Sequence, residues 1–286
     1  MNKSGNPYLD ENNVPYNKLG ITNAFDLKLA EYRIVSNAMN NIADGKTILS
    51  RRPIDYGFEH LKAINKYLFE RVYDWAGQPR TIGFAKEMDN GMVSVFARPD
   101  TFAEEWWTLE EKISAFATGK GLIFGQKVEA LAGIFVDANH IHLFPEGNGR
   151  TLQVFMRQLA REQGVELDYS KTNAREWNHA SAVSGVHGTP YKDAEGYDRL
   201  RQPPRNPAPI TQIFTDMAGR APIMEQAVSA IKRMSTVIRQ TVFGSDAEQQ
   251  PQQTRTPEPS PEQKPVAGNH ESLEQETKAS VEPDRQ

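Results

Sequence analysis

The stretch HIHLFPEGNGR, His140 to Arg150, lies between two apolar periodic segments. Val128, Leu131, Ile134 and Phe135 come before it, and Leu152, Val154, Phe155 and Leu159 come after it, each set on one helical face. The reading is helix, glycine-rich loop, helix. Gly147 and Gly149 let backbone N–H groups approach an anion closely. The start of the second helix adds unpaired donors and a partial positive charge. Arg150 supplies a planar cation for phosphate oxygens. So Gly147, Asn148, Gly149 and Arg150 read as a phosphate cradle. Glu146 beside it is a candidate ligand for Mg2+ shared with a polyphosphate. His142 has the pKa range of a general base, and Phe144 reads as an apolar pin holding the loop on the core. Together these residues imply phosphoryl or nucleotidyl transfer to a nucleophile deprotonated by His142. Three other readings compete. The glycines could form only a turn, His140 and His142 could hold a metal with Asp137 or Glu146, and His140 alone could be a packed or capping residue.

Outward from this loop the chain reads as mostly helical. Phe25, Leu27, Leu29, Tyr32, Val35 and Met39 form a stripe over residues 24–43, with Thr22 and Asn23 as cap candidates. Residues 57–70 form a second amphipathic segment through Phe58, Leu61, Ile64 and Leu68. Further helical patterns cover 101–118, 126–140, 149–163 and 173–184, and one more runs over 221–242. Residues 81–97 break the pattern. Asp89-Asn90-Gly91 between runs rich in Ile, Phe, Val and Met predicts a β-hairpin with a type I′ Asn-Gly turn. The expected fold is all-α with this one inserted hairpin.

The 286 residues contain no cysteine, which excludes a disulfide scaffold, a thiolate zinc site and a cysteine nucleophile. From Ser245 to Gln286 there are nine acidic and four basic residues, net −5. The whole chain is −4, so residues 1–244 carry +1. The acidity belongs to the end of the chain, whose Gln, Pro and Glu bias predicts disorder. A near-neutral body argues against a nucleic-acid partner. No apolar run approaches the roughly 18 residues that span a bilayer, so no membrane partner is expected. The first residues show no apolar signal segment, which points to a cytoplasmic location, with delivery into a host cell by another route left open.

The string from His142 to Arg150 resembles the Fic family core motif, H-x-F-x-[D/E]-G-N-G-R, at every specified position. Residues 18–35 are similar to the first helix of that domain, and 58–81 to the region before its hairpin. The resemblance covers about residues 16–200. It divides the chain into an arm (1–15), a Fic helical bundle with a hairpin flap (16–200), an accessory helical segment (201–244) and a disordered acidic tail (245–286). It implies a protein adenylyltransferase that moves AMP from Mg2+-bound ATP to a Tyr, Thr or Ser hydroxyl of a target protein. His142 would be the base, Phe144 the anchor and Glu146 the magnesium ligand. Gly147, Asn148, Gly149 and Arg150 would bind the phosphates. Residues 81–97 would hold the target by strand addition, with Lys86 and Phe96 near the substrates. Many relatives carry a second arginine three residues after the first, which helps place the γ-phosphate; here that position is Gln153. The family's inhibitory pattern [S/T]-x-x-x-E-[G/N] has no complete match. Ser272 to Thr277 comes nearest and departs at its last position, so restraint by a separate small antitoxin is expected instead. Transfer of UMP, phosphocholine or phosphate, removal of AMP, and a non-catalytic binding protein are the alternatives.

Overall fold

The computed structural model describes residues 5–51, 54–88 and 90–221. The helix expected over 221–242 and the acidic tail lie outside the described residues.

Seven helices are seen among the described residues: α1 (Ala24–Ala43), α2 (Phe58–Phe69), α3 (Phe102–Thr118), α4 (Phe124–Ile141), α5 (Asn148–Glu162), α6 (Ala174–Ser184) and α7 (Ala208–Met217). The first six fall where the periodicity predicts. Asn23 caps α1, its side chain accepting from the N–H groups of Phe25 and Asp26. Asn173 caps α6 in the same way through Glu176 N–H. The core gathers Leu61, Ile64, Leu68 and Phe69 of α2, Leu109 and Ile113 of α3, Leu131, Phe135 and Ile141 of α4, and Leu152, Phe155 and Leu159 of α5. The segment after residue 200 contributes too, since Ile210, Phe214 and Met217 of α7 are fully buried in this core.

Three expectations need correction. The predicted α1 stripe is only partly the buried face: Leu27 and Val35 are buried and Met39 packs on the core. Phe25, Leu29 and Tyr32 are exposed (74%, 45% and 65%), while Leu27, Glu31, Val35 and Ile42 face inward. Apolar residues lie on two sides of this helix, and packing on α2 selects the side with the smaller ones.

The all-α expectation is also only approximate. The hairpin strands β1 (Ala85–Glu87) and β2 (Val93–Val95) belong to a four-stranded antiparallel sheet with β4 (Val186–Lys192) and β5 (Asp198–Arg201), in the order β1-β2-β4-β5. A second sheet pairs β3 (Val165–Leu167) with β6 (Ala218–Arg220). The hairpin turn differs as well. Met88 N–H donates to the Met92 carbonyl at 2.8 Å, so three residues lie in the turn, and of those described only Gly91 has a positive φ, 75°. That is the three-residue turn with glycine in the left-handed position rather than a type I′ turn.

Candidate active site

The loop between α4 and α5 is built by its own side chains and by two buried polar residues from elsewhere. α4 ends at His142, whose φ of 46° and ψ of 58° turn the chain into the loop. A non-glycine residue is uncommon there, and surrounding structure must hold it. Arg80 does so. Its Nε donates to the His142 carbonyl at 2.7 Å and Nη2 donates to the Ile141 carbonyl at 3.2 Å. Nη1 donates to the Ile82 carbonyl, and Nη2 also reaches the Ala97 carbonyl. One guanidinium thus ties the loop to both ends of the hairpin segment. Burial pushes the Arg80 pKa down to about 10, which leaves it charged at neutral pH. Asn65, fully buried on α2, donates to Thr151 Oγ1 at 3.0 Å and to the Glu146 carbonyl at 3.4 Å, and accepts from Gly77 N–H.

Within the loop, Phe144 is buried as expected. The Asn148 side chain turns back on the loop. Its Oδ1 accepts from Phe144 N–H at 2.8 Å and its Nδ2 donates to the Phe144 carbonyl at 2.7 Å. Asn148 therefore offers an anion its backbone rather than its amide. Gly147 has a φ of 80°, and a Cβ there would lie 2.2 Å from the Phe69 ring. Only glycine satisfies both conditions. Gly149, by contrast, faces open space. No side chain caps the N-terminus of α5, so its first N–H groups are available to an anion. The Glu146 carboxylate accepts from Gly147 N–H at 2.8 Å.

His142, Glu146, Gly147, Asn148, Gly149, Arg150 and Lys86 all line one cavity of about 600 Å3, and Gln153 lines it too. Phe96 does not. It lines a smaller cavity of about 190 Å3 under the sheet, and His142, Gly149 and Lys86 border both. The Phe96 ring stacks on His142 with centroids 3.8 Å apart, and Phe84 lies parallel to the same imidazole at 5.5 Å. Burial, then the positive charges of Arg80 and Lys86, push the His142 pKa down to about 3, partly offset by the Asn139 carbonyl. The imidazole is therefore neutral at pH 7, and a weaker base than the ordinary pKa range expected from the sequence would make it. His142 Nδ1 is buried, so Nε2 is the nitrogen left to the cavity.

The N-terminal arm roofs the cavity with Asn6, Tyr8, Leu9 and Pro15. Tyr8 Oη accepts from Thr81 N–H at 2.8 Å, and its ring meets Trp75 edge-on. The opposite wall comes from Tyr169, Thr172, Trp177 and Asn178. The Tyr169 and Thr172 hydroxyls are buried without a partner. In the Glu146 neighbourhood and elsewhere among the described residues, no three His, Asp or Glu side chains gather as a metal cluster. The His140–His142 metal pair finds no support, since His140 Nε2 faces Glu105 at 3.7 Å.

Sequence reading missed Arg80, Asn65, Phe69 and Phe84. None lies in the loop, and each reads locally as an ordinary surface or core residue. The basic and amide side chains carry a signal only once their burial is known.

Residues 53–160 match the family model described as the Fic/DOC family. The adenylyltransferase VbhT of Bartonella schoenbuchensis is 31% identical over 182 residues, 63% of this chain and 36% of that protein. The probable protein adenylyltransferase y4lH of Sinorhizobium fredii is 35% identical over 121 residues, 41% of this chain and 59% of that protein. This chain thus spans about a third of the first relative and under two thirds of the second. Among solved structures, the N-terminal Fic domain of a translocated effector from Bartonella quintana, with bound ADP, is similar with a TM-score of 0.62. It is 23% identical, with 76% of this chain and 96% of that chain covered. At that identity the likeness bears on the fold alone.

Proposed function

We propose, starting from this chain's membership of the Fic/DOC family, that it is a protein adenylyltransferase that moves AMP from ATP to a hydroxyl side chain of a target protein. The observation that carries the reading is a single cavity. It brings together a neutral His142, the uncapped N-terminus of α5 and Arg150. The relatives described as protein adenylyltransferases support a nucleotide as the donor.

In this reading the ATP phosphates lie against the N-terminus of α5 and Arg150, which neutralise their charge. The target hydroxyl enters beside His142. Nε2 takes its proton as the oxygen bonds to the α-phosphorus. The bond from that phosphorus to the bridging oxygen breaks, and pyrophosphate leaves. Base assistance of this kind contributes about 10²–10⁴-fold, and positioning supplies much of the rest. A lone exposed carboxylate, Glu146, fits the habit of Mg2+, which binds one or two protein carboxylates together with substrate phosphates. Glu146 would hold the ion, and the ion would neutralise phosphate charge.

The target would add as a strand to the hairpin. β2 is paired with β1 on one side and β4 on the other, so the open edge is β1. Met88 and Met92 form a hydrogen-bonded pair, as do Phe84 and Phe96. By alternation, the N–H and C=O groups of Ala85 and Glu87 point to that edge. Lys86, between them, lines both cavities. A separate small antitoxin partner and delivery into a host cell remain parts of this reading.

Gln153 puts a neutral amide in the cavity, which favours a second reading, transfer of a different phosphate-containing group. One assay separates them. Protein, Mg2+ and a lysate are mixed with ATP labelled at the α- or the γ-phosphate, with His142→Ala as control. Protein-bound label from α alone, lost in the variant, is expected. Label from γ or from another donor would favour the second reading, and label that survives in His142→Ala would overturn the role of the base.

A further inference from the structure

Glu31 is a carboxylate on the inward face of α1, between Leu27 and Val35, and is only 6% exposed. Taking a carboxylate out of water is costly unless it is paired. Here it is paired twice. Oε1 lies 2.6 Å from Arg150 Nη2, and Oε2 accepts from the Tyr73 hydroxyl. Burial, with help from Glu31 itself, raises the Tyr73 pKa far above its ordinary value, so the hydroxyl stays a donor. Tyr73 is fixed in turn by stacking on Trp75, with centroids 4.3 Å apart.

Stability does not account for this arrangement. A buried ion pair can usually be replaced by apolar residues of similar size at little or no loss, and the neighbours of Glu31 on that face are apolar. What the pair does is set the direction of Arg150. The guanidinium lies over the Phe69 ring at 4.8 Å and is held along one side by Glu31, while the residue lines the phosphate cavity. The same Phe69 ring fills the space under Gly147. The arginine and the glycine of the cradle therefore share one floor, and Glu31 holds the mobile member of the two.

We propose that Glu31, braced by Tyr73, is the positioning residue that aims Arg150 at the bound phosphates. This rests on the reading of the cavity as a nucleotide site, so the test measures binding apart from transfer. Kd is measured calorimetrically for Mg2+ with a non-hydrolysable ATP analogue, and separately with inorganic pyrophosphate. The proteins are wild type, Glu31→Gln, Tyr73→Phe, Arg150→Ala and the Glu31→Gln/Arg150→Ala double variant, each with its Tm.

Glu31→Gln is expected to weaken both ligands about tenfold, the order of one charge-assisted hydrogen bond. Tyr73→Phe should weaken them less. The double variant should bind no worse than Arg150→Ala, because Glu31 acts through that arginine. Unchanged Kd with a lowered Tm would reduce Glu31 to a core residue and overturn the proposal. So would additive losses in the double variant, or tighter binding in Glu31→Gln, which would make Glu31 a competitor of the anion. Wild-type protein that binds neither ligand would overturn both the proposal and the nucleotide reading. Binding that follows the expected pattern without transfer of AMP would overturn the transfer reading alone.

Discussion

At the scale of single residues, the loop is governed by what cannot be replaced. Gly147 combines a positive φ with a Cβ position inside the Phe69 ring. Gly147→Ala should therefore destabilise the fold by roughly 2–4 kcal/mol, from backbone strain and overpacking together, and should abolish binding of an ATP analogue. Denaturant unfolding and calorimetry would check the two effects. Gly149→Ala, with open space around it, should leave stability nearly unchanged, a contrast that tests the contact rather than the motif. His142 makes a prediction about pH. Its pKa is about 3 in the fold against 6.5 ordinarily, so below pH 6.5 the unfolded chain takes up a proton that the folded chain refuses. The contribution is fully present above pH 6.5 and is lost as pH falls from there toward 3. His60 and His140 are also lowered, chiefly by burial, and add in the same direction. Tm should fall on acidification from pH 7 to pH 5, and less steeply in His142→Asn. The loop residues were legible in the sequence because motif and chemistry agree there. Arg80 and Glu31 were not. A charge inside a helix or a turn reads as solvated, and only long-range packing reveals that these two are buried.

At the scale of elements, the hairpin carries the target-binding prediction. Glu87 turns its N–H to the open edge of β1, away from β2. Proline is tolerated at such an edge and removes the donor. Glu87→Pro should therefore cut labelling of the target protein several-fold while the Kd for an ATP analogue stays within about twofold, since it removes main-chain pairing and leaves the phosphate cradle alone. Equal loss of both would show that the strand holds the cavity rather than the target. The first six helices were legible to within a few residues because each has an apolar stripe and two have a capping asparagine, whereas α7 was not placed within the segment read as helical. The rest of the sheet was not. β4 contains Gly188 and Pro190 and most of its residues are exposed, and β5 is almost wholly polar. Strands without alternation give no local signal. β3 and β6 are three residues each and meet across about fifty residues of chain. The exposed aromatic side of α1 shows the opposite failure, a strong pattern that packing did not use.

At the scale of the molecule, residues distant in sequence close one cavity. The arm enters it through Tyr8, α2 supports it through Asn65 and Phe69, the hairpin walls it through Lys86, and α6 completes it through Trp177 and Asn178. No helix among the described residues is long and apolar enough to cross a membrane. The roof is testable separately. Tyr8→Ala removes the bonds to Thr81 and the contact with Trp75. It should weaken binding of an ATP analogue about threefold to tenfold with little change in Tm, because the arm adds few core residues. A Tm loss large enough to explain the weaker binding would make the arm part of the core instead.

If the chain is an adenylyltransferase as proposed, the sheet order has a bearing on which proteins it would modify. With β2 held by β4 as well as by β1, and Arg80 bonded to Ile82 and Ala97 on either side of the hairpin, the open edge would work as a ruler. A segment laid along β1 pairs through its backbone, whatever its side chains. What it must match is spacing, with a hydroxyl at the one step of the strand that reaches His142. Targets would then be chosen by the shape and length of an extended loop more than by its sequence. A short hydroxyl-bearing loop grafted onto an unrelated scaffold would be a fair substrate, and shifting that hydroxyl by a single residue would turn it to the wrong face.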